Sequence, residues 1–533
     1  SSGSEELLLS YEMSPLILLL LLAVFLYYHF FYKRRDFPPG PTPWPLIGNF
    51  AQMDLANPHR TILKWKQIYG PVFTIWLPKP IVVLASREVL EETLVKQADT
   101  FAARPSSFLY RMFTGSHHEG DGIILSSGER WQTQRQFALK TLKDFGFGRG
   151  EMEGRINFHL DRLLEQIEGK FYKRKTSIQD PHEPLAFCIG NIIQDIVMGK
   201  VYDFGDPEFK HFKHLIDTVL AQVQSVQLLI ADCFPSLARF LRGYHEYYKN
   251  GMALQNFFLK EIDRHERSLS SDGPPRDFIE AYLREWKRQP GNKNFSKLTL
   301  ALNSGDLWTG GMETTVTTIR WGIIYLLHYE DVQEKMREEI LRVIGTNSRV
   351  QLSDRSSLPY TAAVIAELQR LANVLPWNIP HCTSAPSTVA GFFLPKGTDI
   401  MPHLGAVHHD PALFPDPERF DPQRYLDSTG SFSTPAAFSP FGIGRRACLG
   451  ENLAKMELFL IFVTLVQRYR FSVPKGGSLP SLARKMGMTS APVEYDCKWE
   501  KIEEEEESED EDDEEIESYH YAPRNDLPPP YRH

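Results

Sequence analysis

The chain has 533 residues, room for two or three average domains or for one large enzyme domain, and 42% of them are hydrophobic, enough for a sizeable core. Its five cysteines, Cys188, Cys233, Cys382, Cys448 and Cys497, are odd in number and far apart, which excludes a disulfide framework and points to a reducing compartment. The formal charge of -9 misleads, because residues 503–517 carry 13 acidic side chains and no basic one, leaving a body of +4. A nucleic-acid partner is not expected.

After an N-terminal segment, 1–12, residues 13–32 ("MSPLILLLLLAVFLYYHFFY") contain no Asp, Glu, Lys or Arg. As a helix they span roughly 30 Å, the thickness of a bilayer core, and the run is too long for a signal peptide with no small-residue cleavage site behind it. Lys33, Arg34 and Arg35 follow, and Glu5 and Glu6 precede. The excess of basic residues predicts a single-pass anchor with everything beyond Arg35 in the cytoplasm. Within the basic stop and hinge, 33–50, "FPPGPTPWPLIGNF" holds five prolines and reads as a stiff spacer.

The globular part, 51–499, shows no internal repeat. "PVFTIWL" and "PIVVLAS" read as short strands, helical periodicity dominates from Arg130 on, and minor strands recur near "STVAGFFLPKGT". The expectation is a mainly α fold with small β-sheets. "WQTQR" (131–135) sets an indole and a guanidinium one helical turn apart, able to hold an anionic group or merely to form one face of a helix. A proline-free stretch from Ser296 to about Asp331 predicts a helix crossing the whole domain. Its middle, "GGMETT" (310–315), allows a packing notch or a groove over a ligand. "ELQR" puts Glu367 and Arg370 on one helix face, and "FPDPERF" offers Arg419 as a further partner.

The loop "PFGIGRRACLGENLAK" (440–455) places Cys448 just ahead of a helix expected to begin at Leu449 or Gly450. A helix start favours a thiolate, and the glycines permit close approach of a flat ligand. A structural thiol, a nucleophile and a metal ligand all remain open. The absence of His–Cys spacing disfavours zinc, and a lone thiolate with room on one side suits an axial haem ligand.

"FGIGRRACLG" resembles the F-x-x-G-x-R-x-C-x-G signature of the cytochromes P-450 at Phe441, Gly444, Arg446, Cys448 and Gly450. "WQTQR", "GGMETT", "ELQR" and "PERF" resemble, in order, that family's W-x-x-x-R helix, oxygen-activating helix and E-x-x-R/P-E-R-F triad. The likeness covers 37–495. The anchor, "PPGPTPWPLIGN" and "PRDFIEAYLREW" are most similar to microsomal family-2 enzymes of animals, with an invertebrate cast in "LPYTAAVIAELQRLANVLP".

The resemblance implies haem b on Cys448, with Gly310, Phe441 and Gly450 against the macrocycle and Arg104, Trp131, Arg135, His381 and Arg446 holding its propionates. Glu367, Arg370 and Arg419 form the structural triad. Thr314 and Glu313 relay protons toward dioxygen. Phe108 and the rest of 108–124, 228–234, Trp308, Trp377 to Ile379, and 486–489 with Met488 line the substrate pocket, and the solvated loop explains His117 and His118. Gly310 stands where the family often has Ala, and Met312 adds bulk beside the site. Membrane lipid, a lipophilic substrate such as a xenobiotic, fatty acid or steroid, and NADPH-cytochrome reductase docking on Lys140, Lys143 and Arg445 complete the expectation, with cytochrome b5 as a second electron donor. The location implied is the endoplasmic reticulum membrane. An oxygen-independent isomerase or dehydratase on the same fold and a non-catalytic haem scaffold are the rival functions.

The tail, 500–533, falls outside the family pattern. Its acidic run reads as disordered, and Pro528-Pro529-Pro530-Tyr531 matches the P-P-x-Y ligand of WW domains.

Overall fold

The computed structural model describes residues 17–502 except 46, 56, 78, 110–119, 147–149, 175–177, 223–224, 271, 376 and 486–488, and for residues 170–174 and 178–179 it describes the backbone alone. The N-terminal segment with residues 13–16, His117, His118, Met488 and residues 503–533 with Pro528 to Tyr531 lie outside the described residues.

Residues 17–30 form a helix whose leucines 18–22 are all exposed. Together with Tyr32–Arg34 it makes a stretch, Ile17–Arg34, long and apolar enough to cross a membrane. Its end is tied to the globule. His29 is buried with Nε2 3.3 Å from the Pro43 carbonyl, and Lys33 lies over the Trp76 ring at 4.5 Å. Arg34 donates to the Gly40 carbonyl at 2.8 Å.

The fold is mainly helical with small sheets. Val72–Leu77 and Lys79–Leu84 pair antiparallel with Val72 opposite Leu84. Asp399–Pro402 adds parallel to the second strand, and His381–Cys382 closes that sheet on its far edge. Ser387–Val389 and Phe392–Leu394 form a hairpin turned by Ala390 and Gly391, both at positive φ. The fold's third sheet joins Ile178–Gln179, Cys497–Lys501 and Tyr469–Ser472.

The predicted long helix is Lys297–His328, started by Ser296, whose Oγ accepts from the Thr299 N–H. It stops short of the expected Asp331, because Tyr329 leaves helical angles and a new helix, Glu330–Val343, begins. The N-terminal half of the central helix packs along His182–Met198, buried nearly throughout, and its other half is buried beside Pro359–Ala372. Gly311 is the notch in the first contact: a Cβ there would sit 2.5 Å from Ile193 Cδ1. At Gly310, by contrast, nothing lies within 4 Å of a Cβ.

Gly311→Ala should therefore cost about 1–3 kcal/mol through overpacking against Ile193. Gly310→Ala should stay within about 0.5 kcal/mol, or gain from helix propensity. Denaturant unfolding of both variants checks the difference.

Candidate functional site

One side of the central helix faces a cavity of about 300 Å3 whose other wall is the loop 440–450 and the start of the helix Glu451–Glu457. The loop's shape follows from its glycines. Gly444 has φ +77° and its Cα faces Leu94 so closely that a Cβ would meet the Leu94 carbonyl oxygen at 2.0 Å. No other residue fits there. Gly442, at φ +78°, turns the chain, and the Cys448 N–H donates to the Phe441 carbonyl at 2.9 Å. Cys448 thus ends up open toward the cavity. Gly450 lies beside it with nothing within 4 Å of a Cβ. The helix starts at Glu451, not at Leu449 or Gly450, so Gly450 is its N-cap. In the protein alone burial raises the Cys448 pKa, and the Gly450 N–H only partly opposes it. The helix start does not by itself make a thiolate.

Arg104, Arg135, His381, Phe441 and Arg446 all line this cavity. Arg446 donates to the Ala102 carbonyl at 2.7 Å and the Ser126 carbonyl at 2.5 Å, and stacks on the Trp131 ring at 3.8 Å. Arg135 donates to the Ala447 carbonyl at 2.6 Å, next to Cys448. Arg104 reaches the Ile124, Ile379 and Pro380 carbonyls. Burial, with Arg104 and Arg135 beside it, pushes Arg446 down to about 8. A partly buried guanidinium cluster of this kind is suited to hold an anion.

The buried Trp131 Nε1 also has no partner. Burial holds His381 near 3, hence neutral, with Nδ1–H donated to the Phe101 carbonyl at 2.7 Å. An anion at this corner would favour the second ring proton. These donors, the open Cys448 and the bare faces of Gly310 and Gly450 fit a flat ligand carrying carboxylates, with an iron-binding thiolate below it.

Above, Thr314 lines the cavity and donates Oγ1–H to the Gly310 carbonyl at 2.7 Å, leaving its lone pairs for a water or reactant. Glu313 turns elsewhere: its Oε1 accepts from Thr317 and Thr489 at 3.4 Å, and burial raises its pKa. Met312, expected to add bulk beside the site, points away from the cavity and is buried against Gly190 of the neighbouring helix.

Of the expected pocket residues, Ile123, Ile124, Asn378 and Ile379 line the described cavity, whereas Phe108, Trp308 and Trp377 do not. Trp308 is buried in the helix interface, donating Nε1–H to Gln194 at 2.9 Å and packing edge-on to Phe212. Phe108 stacks on Tyr244 and Trp377 packs against His403, each in a separate apolar cluster. Leu228 and Ala231 of the 228–234 stretch belong to the same cluster as Phe108.

The triad needs a correction as well. Glu367 and Arg370, both fully buried, pair through two bonds of 2.7 and 2.8 Å. The third charge is Arg424, whose Nε meets Glu367 Oε1 at 3.3 Å, and not Arg419. Arg419 is exposed and gives only its carbonyl oxygen, to Arg370. The segment repeats P-x-R-aromatic, as "PERF" and then "PQRY", and the second copy starts the short turn Pro422–Tyr425 that faces the helix of Glu367. Two acids went unnoticed in the sequence. Asp306, two turns before Glu313 on the central helix, accepts the Ile123 and Ile124 N–H groups at 2.7 and 2.9 Å. Glu457, buried at the cavity's edge, accepts from Thr315 at 3.2 Å. Lone acids in otherwise apolar helical runs were their signal.

A thiol on a glycine loop, facing a helical groove across a cavity walled by arginines, coincides with the cytochrome P450 family model, which matches residues 38–499. The chain belongs to the cytochrome P450 family. It is similar to a "3-ketosteroid oxygenase" of Caenorhabditis elegans, 37% identical over 460 residues, covering 86% of this chain and 78% of that one. It is likewise similar to "Cytochrome P450 2A9" of Mesocricetus auratus, 38% identical over 447 residues (83% and 89%), and to "Cytochrome P450 2J2" of Homo sapiens, 35% over 465 (86% and 90%). The family makes it a haem monooxygenase.

Arg424→Ala should cost about 1–3 kcal/mol, since it leaves one buried Glu367 oxygen short of a charged donor, whereas Arg419→Ala should stay within about 0.5. Urea unfolding of the two variants decides between the arginines. Burial lifts the Glu457 carboxyl to about 8, above its ordinary 4.5. Its contribution to stability is therefore full below pH 4.5 and fades as pH climbs toward 8. Glu457→Gln should flatten that part of the midpoint-versus-pH curve.

Proposed function

We propose that this P450 hydroxylates, epoxidises or dealkylates a lipophilic small molecule, with electrons from NADPH delivered by a membrane flavoprotein reductase. The observation that carries the reading is Cys448 facing Gly310 and Thr314 across a mostly apolar cavity. Haem, when bound, supplies a redox iron whose thiolate ligand favours O–O cleavage. In this reading Arg104, Trp131, Arg135, His381 and Arg446 hold its propionates, and Phe441, Gly310 and Gly450 give its faces room. One oxygen atom enters the substrate and the other leaves as water, at the cost of two electrons and two protons.

Thr314 presents its hydroxyl lone pairs to a water in the groove and so guides protons to the reacting oxygen. Glu313, turned from the cavity toward Thr317 and Thr489, keeps a proton more readily than an ordinary carboxylate and links that hydroxyl's helix turn to the outside. Apolar lining residues such as Ile123, Ile193, Val197, Leu307 and Leu375 suit a hydrocarbon-rich substrate. The relative named a 3-ketosteroid oxygenase favours a steroid-like one, beside xenobiotics and fatty acids.

The exposed helix 17–30 with Lys33, Arg34 and Arg35 behind it supports a single anchor in the endoplasmic reticulum membrane, with the domain (51–499) in the cytoplasm. Lys140, Lys143 and Arg445 are exposed and offer cations to an acidic reductase face, with cytochrome b5 as a second donor. Pro528 to Tyr531 docks a WW domain in this reading.

The reduced protein under carbon monoxide should show the red-shifted Soret band of thiolate ligation, absent in Cys448→Ala. With reductase and NADPH it should oxidise a lipophilic substrate found by spin-state titration. Thr314→Ala should keep consuming NADPH while product per NADPH falls. A thiolate spectrum without NADPH-driven product would favour the scaffold. Turnover of a peroxide without reductase would favour the isomerase, and full coupling in Thr314→Ala would remove Thr314 from the proton path.

A further inference from the structure

Away from the cavity, three ligand-type side chains from distant parts of the chain converge under the loop that carries Arg419 and Arg424. His59 is at the start of the helix Pro58–Tyr69, His409 directly follows Leu404–His408, and Glu418 lies in "PERF". One ligating atom from each lies within 4.8 Å of the other two. We propose that His59, His409 and Glu418 form a binding site for zinc or a similar divalent transition-metal ion.

The geometry favours a metal over a chance cluster in three respects. His409 donates Nδ1–H to the Gly405 carbonyl at 3.0 Å, which leaves Nε2 as a bare lone pair in the orientation metal-bound histidines take. His59 is 3% exposed, and its Nε2, 3.5 Å from Glu418 Oε1, has no hydrogen-bond partner. Buried nitrogens in that condition are rare unless something occupies the space before them. Glu418 brings a carboxylate whose side chain is 53% exposed, so an ion has a path from solvent and a place for a water.

Two imidazoles, one carboxylate and a water make the open four-coordinate set that zinc takes.

Two features oppose the ion and set its strength. Arg60 holds the other Glu418 oxygen at 3.3 Å, and Arg370 and Arg484 add positive potential to His409. The two rings are stacked, 3.9 Å between centroids and 20° between planes, so their lone pairs run nearly parallel and must swing to converge. The site is therefore of modest affinity. Once filled, it clips the first helix of the globule to the 409–418 segment, which also presents the His408 and Pro417 carbonyls to Arg370.

The haem-loaded full chain, dialysed against EDTA and titrated with zinc chloride in phosphate-free buffer, should bind one zinc per haem. Zinc K-edge absorption, free of iron interference, should show imidazole and oxygen ligands at about 2.0–2.1 Å. His59→Gln and Glu418→Gln should each weaken binding tenfold or more while the reduced carbon monoxide spectrum stays that of the parent. Because Glu418 is exposed, Glu418→Gln decides alone if His59→Gln fails to load haem. Zinc affinity unchanged in Glu418→Gln, or sulfur in the zinc shell, overturns the proposal.

Discussion

Three partly buried arginines around one cavity impose the constraint on which the rest depends. A guanidinium away from water needs acceptors, and Arg104, Arg135 and Arg446 each donate to backbone carbonyls. Those carbonyls belong to Ala102, Ile123, Ile124, Ser126, Ile379, Pro380 and Ala447. Three segments far apart in sequence, around 102–126, 379–381 and 446–448, are thus drawn into one wall. Backbone carbonyls are neutral acceptors and leave a guanidinium its charge. In the reading proposed above, a dianionic cofactor would complete the arrangement, so that haem would be a structural part of the wall as well as the reactive group.

A second buried network holds a different stretch of the chain. Glu367 and Arg370 are sealed from solvent, where an ion pair alone gains little. Its use is positional: Arg370 collects the carbonyls of His408, Pro417 and Arg419, while Glu367 receives Arg424 and the Asp421 N–H. One helix turn thereby fixes the irregular chain from 408 to 424. That stretch has little regular structure of its own, only the turn Pro422–Tyr425, and would otherwise pay its ordering entropy without compensation.

How much of this was legible in the sequence divides along physical lines. The class of fold, the cysteine loop and the central helix were readable, since glycine at Gly444, an N-cap serine at Ser296 and an uninterrupted helical period each have a local cause. The pairing of Glu367 with Arg370 was readable because i, i+3 spacing needs only the helix. Choosing Arg419 over Arg424 failed because "PERF" and "PQRY" offer the same local pattern, and only packing selects one. Trp308 and Met312 were misplaced for a related reason. On a helix buried on several sides, a large apolar residue may face a ligand or a neighbouring helix, and the period does not say which. His59 and His409 carried no signal at all, being 350 residues apart.

The two adjacent glycines show how a helix can be opened without being lost. Gly311 has no room for a Cβ because Ile193 presses into it, so the wall helix supports the central helix at the very turn that lacks side chains. Trp308 adds to that hold through its bond to Gln194, and Thr315 through Glu457 on the cysteine-loop helix. With one flank clamped at 308, 311 and 315, the other flank at Gly310 and Thr314 can stay bare toward the cavity. The choice between a packing notch and a ligand groove was therefore not a choice. A groove one residue wide is stable only because the residue beside it is a notch.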